Sequence, residues 1–339
     1  MQLIGDINMS IESTSPIKEE LKLTTEWDKT FPLSDKVEHC KVTFTNHFGI
    51  TLAADLYRPK GAGGKLSALA VCGPFGAVKE QSAGIYAHEM AKRGFLTIAF
   101  DPSFTGESGG HPRYMNSPDI NTEDFMTAID YLSNRDDVDK DKIGIIGICG
   151  WGGFALNTAA IDTRIKSTAV MTMYDMSRVT GNGYFDSQDS KEARMEQRRT
   201  LMEQRTKDFA AGSYVTTGGL PDPEALPDDA PQFIKDYAQY YRKRGYHPRS
   251  VGANMNWAAS ASTSLLNTRI LRYADEIESP VLLVHGEKAH SLYMGQGAFS
   301  LLKGENKEMM IVPGASHCDL YDNYDFIPFD RLQEFFEKM

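Results

Sequence analysis

Cysteine is scarce in this chain of 339 residues, with only Cys40, Cys72, Cys149 and Cys318 present. Four scattered thiols do not make a disulfide framework. Neither CxxC nor HExxH occurs, so nothing points to a zinc site, and no metal or cofactor is expected. Basic charge is also in deficit: 36 Lys and Arg stand against 46 Asp and Glu, a net charge of −10. A phosphate backbone would find no global basic surface, so no nucleic-acid partner is expected. No apolar run approaches the ~20 residues that span a bilayer. The longest, Leu66 to Cys72 and Val281 to Val284, have the length of buried strands. No membrane partner is expected. Met1 to Ser15 lacks the positive start and apolar core of a signal peptide. The expected location is the cytoplasm, unless a signal was removed beforehand.

What remains is an ordinary globular composition, 41% apolar and 24% charged. Residues 1–36 are polar and irregular, an arm expected to lie on the body. Val42, Phe44, Ile50, Leu52 and Ala54 alternate with other residues across an Asn46 to Gly49 turn, which predicts an antiparallel hairpin. Uninterrupted apolar strands follow at Leu66 to Cys72, Phe95 to Phe100, Ile143 to Ile148, Thr168 to Met173, Val281 to His285 and Met309 to Val312. Helical patterns separate them, among them Ser82 to Arg93, Thr122 to Ser133 with Thr122 as N-cap, Trp151 to Ala160 and Phe329 to Lys338. Buried strands alternating with helices imply a parallel α/β sheet covered on both faces.

Residues 176–279 interrupt this rhythm. They hold helical patterns and turns but no convincing buried strand. Lys191 to Lys207 reads as a solvated helix face, and Phe233 to Tyr241 is aromatic. Such an insertion predicts a cap over the strand ends. The expected organisation is an arm (1–36), a first core segment (37–175), a cap (176–279) and a second core segment (280–339).

The sharpest motif is Ile145-Ile-Gly-Ile-Cys-Gly-Trp-Gly-Gly-Phe154. A buried strand runs into a turn at Cys149, and a helix opens within two residues. That is the context of a nucleophile elbow, whose flanking residues must be small because strand and helix backbones pass close together. Gly147, Gly150, Gly152 and Gly153 meet this need, and Trp151 departs from it. The helix N-terminus behind the sulfur is expected to favour its thiolate.

On these residues the chain resembles the α/β-hydrolase superfamily, in particular the dienelactone-hydrolase and acetyl-xylan-esterase-related branch, whose elbow can carry cysteine. The resemblance spans about residues 38–338. It implies a mostly parallel sheet with helices on both faces, an antiparallel hairpin at one edge and a helical cap after the sixth strand. It also assigns roles. Cys149 would be the nucleophile and His317, in the loop Gly314-Ala-Ser-His317, the base. Gly150 and Phe75 would donate the oxyanion-hole N–H groups, since Pro74 has none. The acid's usual place after Val281 to His285 is taken by Ala289, which leaves Glu287 on the same loop or, alternatively, Asp175 after the preceding strand. Trp151, Tyr184, Tyr240, Tyr241 and Trp257 are candidate substrate contacts, and Lys79-Glu80 reads as solvated.

The implied activity is hydrolysis of an ester, thioester or lactone of a small-molecule acyl substrate through an acyl-Cys149 intermediate. Acyl transfer through the same intermediate and non-catalytic small-molecule binding are the alternatives. A peptidase and a dehalogenase fit less well, the latter because it would carry a carboxylate at position 149. The oligomeric state is left open, with a homodimer among the options.

Overall fold

In the computed structural model, which describes residue 15 and residues 18–217, 219–254 and 257–339, the apolar runs assemble into one eight-stranded sheet. The stretch read for a signal, Met1 to Ser15, lies outside the described residues except for Ser15. The strands are β1 (Val37–Thr45), β2 (Thr51–Pro59), β3 (Leu66–Cys72), β4 (Leu96–Phe100), β5 (Val138–Ile148), β6 (Ser167–Met171), β7 (Val281–Gly286) and β8 (Lys307–Val312). Their spatial order is β1-β2-β4-β3-β5-β6-β7-β8. The pairs β1–β2 and β2–β4 are antiparallel and the rest are parallel. The hairpin turn forms because the Asn46 Oδ1 accepts from the amides of Phe48 and Ile50, while Gly49 takes a positive φ of 80°.

Ten α-helices accompany the strands among the described residues: α1 (Ser82–Lys92), α2 (Pro118–Ser133), α3 (Gly150–Ile161), α4 (Met176–Asn182), α5 (Lys191–Ala211), α6 (Gln232–Gln239), α7 (Val251–Asn254), α8 (Leu292–Leu301), α9 (Asp319–Asp322) and α10 (Phe329–Phe336). A single π-helical turn, Tyr240–Arg244, continues α6. The start of α2 corrects the expected one. Ser117 caps the helix by accepting from Ile120, and Pro118 takes the first position, where its missing N–H costs nothing. Thr122 lies inside and donates back to the Pro118 carbonyl.

Side-chain alternation along the parallel strands divides the interior in two. Leu69, Val71, Ile146, Ile148, Met171 and Val284 pack under α1 and α10. Ala68, Ala70, Ile143, Ile145, Val170 and Leu283 pack on the other face with Phe125 and Phe154 of α2 and α3. Each such large apolar side chain contributes roughly 1.5–3 kcal/mol on burial. The carboxyl ends of β3, β5, β6, β7 and β8 all emerge at one edge, the usual place for a site in an open α/β sheet.

Behind that edge lies a feature the sequence reading missed. Lys79 and Glu80 are buried rather than solvated, at 1% and 0% exposure. The Lys79 ammonium donates to Glu80 (2.6 Å), Asp101 (2.8 Å) and Glu107 (2.6 Å), while its backbone N–H donates to Asp101. Arg249 of the insertion adds ion pairs to Glu80 (2.8 Å) and to Asp28 of the arm (2.7 Å). The cluster ties arm, sheet and insertion to the segment that follows β3. Deleting one partner of a buried ion cluster leaves uncompensated charge and costs about 3–5 kcal/mol. Lys79→Gln should therefore lower unfolding stability by that amount in urea titration. The partly exposed Arg164→Gln, which breaks the pairs to Asp130 and Asp162, should cost less than about 1 kcal/mol. Equal losses for the two variants would contradict the assignment.

Candidate active site

β5 ends at Ile148, and Cys149 turns the chain into α3 with φ 56° and ψ −126°. A positive φ in a non-glycine residue costs on the order of 1–3 kcal/mol and persists only when the surroundings over-determine it. Here they do. The Cys149 N–H donates to the Met171 carbonyl (2.9 Å), and its carbonyl accepts from Gly152 and Tyr174 (both 2.9 Å). The close crossing also explains the flanking glycines. A Cβ on Gly147 would lie 2.3 Å from the Trp151 carbonyl, and one on Gly153 would lie 2.5 Å from that of Tyr174.

The thiol is buried at 7% exposure. The amides of Phe75 and Gly150 and the hydroxyls of Tyr321 and Tyr237 all reach it, and each favours the thiolate. Burial outweighs them and pushes the Cys149 pKa up. The expected preference for the thiolate is thus reversed: burial raises the pKa of the thiol more than the surrounding amides and hydroxyls lower it.

His317 sits at 1% exposure. Its Nε2 lies 2.9 Å from the Tyr321 hydroxyl, four residues on along α9. Its Nδ1 lies 2.8 Å from the Thr172 hydroxyl and 2.7 Å from that of Ser291. One N–H can fork between two hydroxyl oxygens, whereas one lone pair serves two donors poorly. The contacts therefore favour a proton on Nδ1 and an accepting Nε2. Burial, with His290 and His285 nearby, holds the imidazole pKa well below its ordinary value, so it is neutral.

Neither candidate carboxylate reaches His317. Glu287 is exposed and accepts from the Gly314 amide (2.8 Å). Asp175 caps α4, accepting from the Arg178 amide and the Ser177 hydroxyl. Both acid assignments are corrected: the acid's place at Nδ1 is filled by Thr172 and Ser291. Ser291 stands two residues beyond Ala289, and Thr172 is held at φ 44°, a strained value for a β-branched residue.

The other candidates separate into two groups. Trp151 is a core residue, packed edge-on against Phe100 and Phe125 on the far face of the sheet. Its departure from a small residue is accommodated because the indole turns away from the thiol. Tyr240 is also set back, against Tyr241 and Tyr321. Tyr241 covers Gly252 with its ring and brings its hydroxyl to Gly76, next to Phe75, and Trp257 stacks on Phe75 at 4.6 Å. Tyr184 packs on Tyr174, Phe233 and His290. Three side chains that were not assigned as site residues join them, Tyr174, Tyr237 and His290. Tyr237 and His290 each hydrogen-bond the Tyr174 hydroxyl, and His290 stacks on Phe233.

With this geometry in view, the similarities to known proteins are informative. The family described as X-Pro dipeptidyl-peptidase (S15 family) matches residues 49–319. The chain belongs to this α/β-hydrolase-type family. It is 54% identical over 322 residues to the uncharacterized protein PA2218 of Pseudomonas aeruginosa, covering 94% of this chain and 85% of that one. The crystal structure of PA2218 superposes with a TM-score of 0.91, covering 95% and 99% of the two chains. The uncharacterized protein YcjY of Escherichia coli is 33% identical, over 88% of this chain and 98% of its own. A stretch of 133 residues is 30% identical to the thiohydrolase aneE of Aspergillus aculeatus, covering 39% of this chain and 41% of that one. The α/β hydrolase GrgF from Penicillium shares the fold at 19% identity, with a TM-score of 0.73 over 89% and 98% of the chains.

Two predictions follow from the burial and bonding of the histidines. His290 and His247 are pushed down to about 4 and His285 to about 3 by burial, alongside His317. Between about pH 6.5 and 4 the unfolded chain binds protons that the folded chain refuses, so stability falls as pH drops. Burial lowers His88 in the same way, while Asp124, raised to about 6, and Glu80 and Asp322, also raised, act in the opposite sense, three groups against five. The urea midpoint should therefore decrease steadily from pH 7 to 4.5, and a flat or rising midpoint would contradict the neutral-histidine assignment. Removing both hydroxyls at Nδ1 (Thr172→Val with Ser291→Ala) leaves that N–H unpaired, a cost of about 1–3 kcal/mol. Urea unfolding should show this loss, and the double variant should lose more than the sum of its parts if the N–H is shared.

Proposed function

We propose that the protein cleaves carboxylic thioesters or activated esters of small molecules through a covalent acyl-Cys149 intermediate. The observation that carries this reading is the convergence on one strained, buried thiol of two backbone amides, from Phe75 and Gly150, and of a hydroxyl bonded to an imidazole. The amides stand where negative charge develops when sulfur adds to a carbonyl, and Tyr321 stands where the thiol proton must leave.

The steps follow from these positions. Cys149 Sγ attacks the carbonyl carbon. Its proton passes to the Tyr321 oxygen as the Tyr321 proton moves to His317 Nε2. The oxyanion accepts hydrogen bonds from Phe75 and Gly150. Collapse expels the leaving thiol or alcohol, which takes the proton back along the same line. Water, deprotonated by the same route, then attacks the acyl-thioenzyme, and Cys149 leaves reprotonated. Acyl transfer to a bound alcohol, amine or thiol shares every step up to the acceptor.

The similarity to a thiohydrolase supports a thioester substrate. A dipeptidyl peptidase, in contrast, must hold the ammonium group of its substrate. The side chains around this thiol among the described residues include tyrosines, histidines, Phe75 and Met176, neutral groups that offer an ammonium no counter-charge. The aromatic lining fits an apolar acyl group. Turnover of a panel of acyl thioesters and aryl esters tests this reading. Cys149→Ala should abolish activity, and Tyr321→Phe, which keeps the ring and deletes the relay, should lower kcat by about 10²-fold. Undiminished activity in Cys149→Ala would overturn the proposal.

A further inference from the structure

The insertion contains a second cleft that the chemistry above does not use. It encloses about 690 Å³ between α4, the first half of α5 and the segment 266–272. Five arginines line it, Arg178, Arg194, Arg198, Arg269 and Arg272, against Asp175 and Asp189. This is a local excess of cations in a chain whose net charge is −10. Three bonds already account for the acidic side. Arg178 pairs with Asp186, Arg194 with Asp189, and Asp175 caps α4. Among the described residues, Arg198, Arg269 and Arg272 form no ion pair: Arg198 reaches only the Met195 sulfur, and Arg272 lies over the Tyr273 ring. Guanidinium forks left without carboxylates around one concavity match the oxygens of a phosphate group, which they can grip in bidentate fashion. The cleft also shares an element with the thiol. The first residue of α4, Met176, packs against Gly150, and Arg178, two residues on, lines the cleft.

We propose that this cleft is a binding site for the phosphate groups of a small-molecule ligand. If Proposed function is right, the fitting source is the phosphorylated carrier of an acyl thioester; the other source is a free phosphate compound acting on α4 as an effector. The phosphate site itself does not depend on that reading.

The test begins with pyrophosphate binding by calorimetry at low salt, on the full chain and on the triple variant Arg198→Ser, Arg269→Ser, Arg272→Ser. All three residues are partly or fully exposed, so the variant should keep its thermal midpoint. The expected result is saturable binding in the millimolar range or tighter, weakened at least tenfold in the variant. No saturable binding by the parent chain, or equal binding by both, overturns the proposal. Kinetics then separate the sources, using one acyl group presented on coenzyme A and on N-acetylcysteamine, which lacks phosphate. With a carrier site, the variant raises KM for the coenzyme A thioester alone and leaves kcat unchanged. With an effector site, both thioesters respond alike, and pyrophosphate alters turnover of the phosphate-free one. If neither thioester turns over while pyrophosphate binding is lost in the variant, the acyl reading fails and the phosphate site stands.

Discussion

The hydroxyl of Tyr321 links a buried thiol to a buried imidazole, and both of these groups are neutral because water is excluded from them. That exclusion is the constraint on which the rest of the site depends. In water, or in a more open elbow, the helix N-terminus and two amides would hold a thiolate ready-made. Here desolvation favours the proton on sulfur, and the proposed chemistry releases it only when a carbonyl arrives to take the charge. In the proposed chemistry, charge separation and bond formation then occur together, inside donors already aimed at the oxyanion. Such preorganised donors are worth more in a low-dielectric site than in water.

The same burial accounts for the hydroxyl pair at Nδ1. A carboxylate beside His317 would itself need desolvation and would draw a positive charge onto the ring. Thr172 and Ser291 fix the ring's orientation without adding charge to an interior that already refuses it. Orientation of the amides is secured from a second direction. The Gly76 carbonyl accepts from the Gly252 amide (2.6 Å) and the Ser250 hydroxyl (2.7 Å), and Gln81 donates to the Gly245 carbonyl. The loop that carries Phe75 is thus bonded to the insertion on one side and anchored through Lys79 on the other. Residues 245–252 thus help to hold the amide that the proposed chemistry uses as an oxyanion donor.

Much of this was legible in the chain. Continuous apolar runs announced parallel strands because both sheet faces are covered. The elbow was legible because four glycines around one cysteine have no use in ordinary packing. That Phe75 rather than Pro74 offers an amide beside the thiol was legible because Pro74 lacks an N–H. What could not be read depended on burial or on contacts across the fold. Lys79 and Glu80, adjacent and opposite in charge, look like any solvated pair until Asp101, Glu107 and Arg249 close around them. Thr172 and Ser291 are common residue types in unremarkable contexts, and only the sheet edge brings them to one ring. Tyr321 carried a faint signal, its spacing of four from His317. Trp151 misled because sequence gives proximity to the thiol but not the direction of the indole.

The central claim is that Cys149 becomes covalently acylated. The most direct measurement is rapid acid quenching during turnover of an acyl thioester, followed by intact-protein and peptide mass spectrometry. The account predicts a mass increment equal to the acyl group on the peptide containing Cys149, absent from Cys149→Ala and lost when substrate is exhausted. Turnover with Cys149 unmodified at every quench time, or with the acyl group on another residue, would contradict it.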